Sequence, residues 1–102
     1  MARPREELQT ILEGIMDGCT VYFQPPDDIY MDYPCMVYER SNEDVDYANN
    51  KRYKNMYNYT LTLLDHDPDS EFIEKISELD YCRLVRDFSQ NNIYHYVFEL
   101  YF

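Results

Sequence analysis

Four side chains between positions 65 and 69 have the chemistry of metal ligands: Asp65, His66, Asp67 and Asp69. Carboxylate and imidazole groups both bind divalent metal ions in proteins. Asp67 and Pro68 also fit the start of a helix, with Asp67 as the N-cap and Pro68 at the first helical position. That structural role is sufficient to explain the segment, so we predict no metal site.

The other residues with catalytic chemistry form no known constellation. His95 lies in an aromatic stretch and has no evident serine or cysteine nucleophile as a partner. No serine lies in a G-x-S-x-G motif, and two glycines, Gly14 and Gly18, cannot form a glycine-rich phosphate loop. We therefore predict that the protein is not an enzyme and binds no cofactor.

The cysteines give no sign of a metal or disulfide framework. Cys19, Cys35 and Cys82 are odd in number, far apart in the chain and without a C-x-x-C pair. We predict reduced, partly buried thiols, consistent with assembly in a reducing cytoplasm.

The charge balance argues against two classes of partner. The chain has 102 residues, which suits one domain with one core, and a net charge of −11 from 9 basic and 20 acidic residues. This charge disfavours general binding to the outside of nucleic acid or to anionic membrane. No apolar run approaches the roughly 20 residues of a membrane helix. The acidity fits a solubilising surface, a passage in which DNA slides without sticking, or a mimic of DNA.

Periodicity along the chain predicts an α+β domain. Apolar residues at helical spacing predict a helix over residues 4–17, with Gly18 just past its end. The other predicted elements are strands at 21–23, 35–40, 57–64, 81–88 and 93–102, and a second helix after Asp67 with Phe72, Ile73, Ile76 and Leu79 as its apolar face. This order, α-β-β-β-α-β-β over a single domain of residues 1–102, indicates a mostly antiparallel sheet with two helices packed on one face.

The last strand has two different faces. A two-residue period predicts that one face meets the helices, and this face carries Tyr94, Tyr96, Phe98, Leu100 and Phe102. No polar tail follows, so we expect this end to be buried in the core or against a neighbouring chain. The opposite face is not explained by a single subunit and is predicted to form a subunit contact. It carries Ile93, His95, Val97 and Tyr101.

A long hairpin arm is predicted at about residues 41–56. Asn49-Asn50 suits its tight turn, because Asn tolerates a positive φ. Its outgoing side is acidic and its returning side is basic. The same turn predicts two cross-strand pairs, Met36 with Leu63 and Tyr38 with Leu61. The tip is either a solvated, mobile hairpin or an arm that meets a neighbouring subunit.

Five short stretches together resemble a known family. They are residues 21–26 (VYFQPP), 33–38 (YPCMVY), 48–51 (ANNK), 65–70 (DHDPDS) and 95–102 (HYVFELYF). In this order they resemble the tail completion or tail terminator proteins of long-tailed bacteriophages, over nearly the whole chain. The resemblance has no catalytic motif to carry over.

The resemblance implies a structural virion protein at the phage neck, assembled in the host cytoplasm. Such a subunit forms a homohexameric ring that caps the tail tube, ends tail polymerisation and joins the tail to the head. Its implied partners are other copies of itself, the tail tube protein and the head-completion proteins, with DNA passing through the lumen without specific binding. The alternatives are another neck component, such as a head-completion or stopper protein, and an acidic DNA mimic that inhibits a host nuclease.

The subunit interface is predicted to combine the hairpin arm with the outer side of the last strand. The 12 tyrosines and absence of tryptophan fit both strand propensity and partly wet interfaces. The predicted interface residues are Asp46, Tyr47, Asn49, Asn50, Lys51, Arg52, Tyr53, Ile93, His95, Val97 and Tyr101.

Overall fold

Seven elements follow one another in the predicted order, α-β-β-β-α-β-β. The computed structural model describes residues 4–26, 30–41 and 56–102. The α+β prediction, with a mostly antiparallel sheet, is confirmed. The elements are α1 (Arg5–Met16), β1 (Val21–Phe23), β2 (Cys35–Arg40), β3 (Asn58–Asp65), α2 (Phe72–Ser77), β4 (Cys82–Gln90) and β5 (Ile93–Tyr101).

The strands form one sheet in the order β1-β2-β3-β5-β4. The short β1 runs parallel to β2, and the other neighbouring strands are antiparallel. The predicted pairing of β2 with β3 is confirmed, and the pairs are Met36 with Leu63 and Tyr38 with Leu61. The tip of the hairpin arm, including the Asn49-Asn50 turn, lies outside the described residues.

Both helices pack on the same face of the sheet. The apolar stripe of α1 buries Leu8, Leu12 and Met16, and α2 buries Phe72 and Ile76. Opposite them, alternate residues of the three inner strands complete the core, because successive side chains of a strand point to opposite faces. These strand residues are Met36, Tyr38, Tyr59, Leu61, Leu63, Tyr96, Phe98 and Leu100.

The ends of α1 follow from local chemistry. Pro4 precedes the helix with extended backbone, and Glu6 and Glu7 lie in the first turn, where the helix dipole favours negative charge. At the other end Asp17 and Gly18 adopt positive φ angles of 49° and 93°. Glycine adopts such angles without steric cost, so Gly18 lets the chain leave the helix towards β1.

The start of α2 corrects one prediction. The helix begins at Phe72, and the backbone N–H of Phe72 donates to Ser70 Oγ over 3.3 Å. Asp67 and Pro68 precede the helix by more than a turn, so the prediction of Asp67 as N-cap and Pro68 as first helical residue is wrong. The N-cap residue is Glu71, whose side chain makes no capping hydrogen bond, and the hydroxyl of Ser70 one residue earlier accepts from the first helical N–H.

Asp67 instead belongs to a pair of consecutive side-chain turns. The carboxylate of Asp65 accepts from the Asp67 N–H at 3.0 Å, and that of Asp67 accepts from the Asp69 N–H at 2.9 Å. The Tyr96 hydroxyl donates to the Pro68 carbonyl over 2.7 Å. These bonds hold residues 65–69 against β5. The helix begins only after them, since aspartate turns compete with helical hydrogen bonding.

A polar link joins α1 to the middle of the sheet. Tyr38 is fully buried, and its hydroxyl accepts from Arg5 Nη1 at 3.1 Å and donates to Gln9 Oε1. Burial raises the pKa of Tyr38, and the guanidinium of Arg5 opposes that shift. Gln9 also donates to the Val21 carbonyl, so the same network reaches β1.

We expect Tyr38→Phe to lower the free energy of unfolding by about 1–2 kcal/mol, because Gln9 and Arg5 lose a shared partner at the core boundary. Chemical denaturation measures this change. Tyr30→Phe is the matched control: Tyr30 is 83% exposed, so removing its hydroxyl should leave stability unchanged. Equal effects of the two substitutions would contradict the role given to the Tyr38 network.

Candidate subunit interface

One face of the sheet carries no described helix. We call it the open face and define it by the side chains that alternate with the core residues on β2 to β5. Its residues lie in rows across the strands, as the pairing registers place them. The rows are Glu39-Thr60-Glu99-Arg83, Val37-Thr62-Val97-Arg86 and Cys35-Leu64-His95-Phe88, with Asn58 and Tyr101 beyond the first row.

One end of the open face is covered by the subunit itself. Ile93, Cys35 and Leu64 form a second buried cluster, with Met31 and Tyr22 packed against it. Ile93 and Val97 are each only 8% exposed. Both residues are therefore buried within one subunit, Ile93 in the cluster that Met31 contacts, and the expectation that a single subunit leaves this side of β5 unexplained is not met for them.

The predicted interface residues divide into three groups. His95 and Tyr101 are half-buried on the open face, while Ile93 and Val97 are buried there. The hairpin residues predicted for the contact, Asp46, Tyr47, Asn49, Asn50, Lys51, Arg52 and Tyr53, lie outside the described residues. Their role in a subunit contact stays a prediction.

The middle of the open face is a shallow depression of about 300 Å³. Short side chains, Thr60, Thr62 and Val97, lie on its two central strands. Glu39 of β2 and Arg86 and Phe88 of β4 are longer and border it on the neighbouring strands. Val37 of β2 and His95 of β5 complete the lining.

An aromatic stack forms one side of this depression. The rings of Phe88 and His95, which are cross-strand partners, lie parallel with centroids 4.6 Å apart. The Arg86 guanidinium lies 5.4 Å from the Phe88 ring centroid, within the range of a cation–π contact. Burial lowers the pKa of His95 below its ordinary value of 6.5, which favours the neutral ring in the stack.

A bulge in β4 places two arginines on the open face. The pairing register of β4 with β5 shifts between Leu84 and Arg86. Simple alternation would send Arg83 and Arg86, three positions apart, to opposite faces; the extra residue, Val85, brings both to the same one. Adjacent Leu84 and Val85 were the available sign of this bulge, and the sequence analysis missed it.

The outer edge of β4 is unusually apolar for an edge strand. Within the described part of the chain, β4 pairs with β5 on one side and with no strand on the other. Every residue from Arg83 to Gln90 is exposed. Leu84, Val85 and Phe88 are 44%, 49% and 40% exposed, and large exposed apolar side chains on an edge are typical of surfaces that another chain covers.

Several cations of the described chain lie against aromatic rings. Arg5 is 4.4 Å from the Phe23 centroid, and Arg40 is 4.3 Å from that of Tyr57. Arg83 instead forms an ion pair with Glu99, with Nε and Oε1 3.0 Å apart, yet 71% of its side chain remains exposed. The open face and β4 therefore carry accessible positive charge on an otherwise acidic molecule.

The described residues with metal-ligand chemistry make local contacts within the fold. The Asp65 to Asp69 segment forms the turns described above, and no group of three His, Cys, Asp or Glu side chains among residues 4–26, 30–41 and 56–102 could hold a metal ion. His66 contacts the ring of Tyr33 edge-on, with centroids 5.6 Å apart. None of the described helices is long and apolar enough to cross a membrane.

All three cysteines are free thiols in the structure. Burial raises the pKa of Cys35 to about 12 and that of Cys82 to about 11. Because the thiolate is the reactive form, these two side chains act as small apolar groups at neutral pH.

Comparisons of the chain with protein-family models, with curated proteins and with solved structures returned no match.

The lowered pKa of His95 predicts a pH dependence of stability. The unfolded chain binds the proton at a higher pH than the folded chain, so stability falls as the pH drops from 6.5 towards the lowered folded value. We expect His95→Phe, which keeps a flat ring against Phe88, to flatten this part of the curve of unfolding free energy against pH. Denaturation of His66→Gln in parallel separates the two histidines; a flatter curve only in that variant would contradict the assignment.

Proposed function

We propose that this chain is a structural virion protein that forms a ring on the tail tube of a long-tailed phage. In this role it ends tail polymerisation and joins the tail to the head. The proposal combines the resemblance of the five short stretches with the surfaces that the fold leaves uncovered. Its partners are further copies of the chain, the tail tube protein and the head-completion proteins.

One feature carries this assignment: the described helices cover a single face of the sheet. The open face combines half-buried Thr60, Thr62, His95 and Tyr101 with a 300 Å³ depression, and the β4 edge adds exposed apolar side chains. A closed ring requires two different contact surfaces on each subunit, because each copy meets its two neighbours through different patches. The open face and the β4 edge are candidates for such surfaces.

The acidity of the chain fits a channel for DNA. With a net charge of −11, carboxylates along a lumen would repel the phosphate backbone. At physiological salt this repulsion extends over a Debye length of about 8 Å, so it prevents adhesion without closing a channel wider than the duplex.

We expect the purified protein to reach a ring-sized mass by multi-angle light scattering. Cryo-electron microscopy of virions should place it between the head connector and the last ring of the tail tube. A monomer at high concentration, together with absence from purified virions, would contradict the proposal. Retention on tailless heads rather than headless tails would indicate a stopper, and salt-sensitive capture of a host nuclease would indicate a DNA mimic.

A substitution on the open face tests the contact surface. We expect Thr62→Arg to fill the depression and prevent assembly while thermal stability stays close to wild type, because the long side chain can extend into solvent. Light scattering and thermal denaturation measure the two effects. Thr10→Arg on the exposed side of α1 is the matched control, and equal loss of assembly in both variants would remove the open face from the contact.

A further inference from the structure

We infer that the outer edge of β4 is the surface on which a second copy of this chain docks, with Leu84 and Val85 in apolar contact and Arg86 facing carboxylates of that copy. The inference rests on the self-assembly proposed above and names the contact that drives it. The second copy has the same sequence but contributes a surface other than its β4 edge to this contact.

The exposed edge of β4 carries two adjacent apolar side chains. Leu84 and Val85 are nearly half exposed at adjacent positions of an edge strand, where solvent contact of large apolar side chains is unfavourable. Natural edge strands are usually protected by charges or bulges. This strand has both, yet retains two apolar side chains at the bulge itself. A bulge prevents continuous strand addition, so the contact is made chiefly by side chains.

Charge identifies the occupant. Copies that each carry a net charge of −11 repel one another, so a stable contact must place positive groups of one copy on negative groups of the next. The bulge concentrates accessible positive charge by bringing Arg83 and Arg86 to one face. Arg83 is already paired with Glu99, whereas Arg86 is exposed beside Phe88. The complementary surface proposed on the second copy is the acidic segment 65–80, where seven carboxylates, six of them exposed, are opposed by Lys75 alone.

A nucleic acid is the less favoured occupant of this edge. Phosphate binding would also use arginines, but duplex binding requires several clustered cations and a favourable overall charge. The described edge has only two arginines, Arg83 and Arg86, and Asp87 directly follows the second. The net charge of the chain is strongly negative. The apolar pair Leu84 and Val85 also has no counterpart on a phosphate backbone.

Charge reversal at Arg86 is the direct test. We expect Arg86→Glu to weaken self-association about 100-fold by analytical ultracentrifugation, because like charges would then face each other across the contact. The double substitution Thr10→Glu and Gly14→Glu makes the same change in net charge on the exposed side of α1, outside β4 and segment 65–80, and should leave self-association close to wild type. Equal weakening in the two variants would show that net charge alone weakens self-association, and it would overturn the inference.

Hydrogen exchange of the unsubstituted protein gives a test that does not depend on variant folding. Peptides covering residues 82–90 should gain protection when dilute protein is concentrated to the assembled state. Protection gained only elsewhere, in a protein that does assemble, would overturn the β4 contact and leave the ring proposal standing. An unsubstituted protein that never assembles would contradict both.

If the unsubstituted protein forms only a two-subunit species and Arg86→Glu abolishes it, this result would support the β4 contact but contradict a ring. Intact assembly of Arg86→Glu combined with weaker retention of double-stranded DNA would overturn the inference in favour of a nucleic-acid contact.

Discussion

The fold depends on the burial of alternate side chains of β5 between its neighbouring strands and the two helices. β5 pairs with β3 on one side and β4 on the other, so its register determines which side chains of both strands reach the core. A slip of one residue would exchange the buried and open faces of the strand. The two-residue turn at Asn91-Asn92, with positive φ at both positions, holds the β4–β5 register at one end.

The single layer of helices divides the subunit into two sides with different roles. The helix side contains the main buried core, and its polar groups Tyr38, Arg5 and Gln9 bond to one another. The open face is too apolar at Val37 and Phe88 to be an ordinary solvated surface and too polar at Glu39 and Arg86 to be a core. Mixed surfaces of this kind resemble the contacts of proteins that also exist as separate subunits.

Electrostatics restricts how such a subunit can meet its own copies. Most carboxylates of the described chain are exposed, and cations such as Arg5 and Arg40 are engaged with aromatic rings. Screening at physiological salt limits repulsion between copies to short distances, but a contact brings surfaces within that distance. In the proposed assembly, the few accessible cations at the β4 bulge would therefore select the orientation of neighbouring copies.

The sequence by itself determined the elements and the sides of the strands. Helical and two-residue periods predicted α1 and the core face of β5, because these patterns reflect burial on one side of a regular backbone. The β2–β3 register was predicted from a turn at Asn49-Asn50. Only the tertiary structure decided the start of α2, the parallel pairing of β1, the burial of Ile93 and the bulge at Val85. Each of these depends on competition between a local preference and a contact made by residues distant in the chain, and a single period along the sequence carries no information about such contacts.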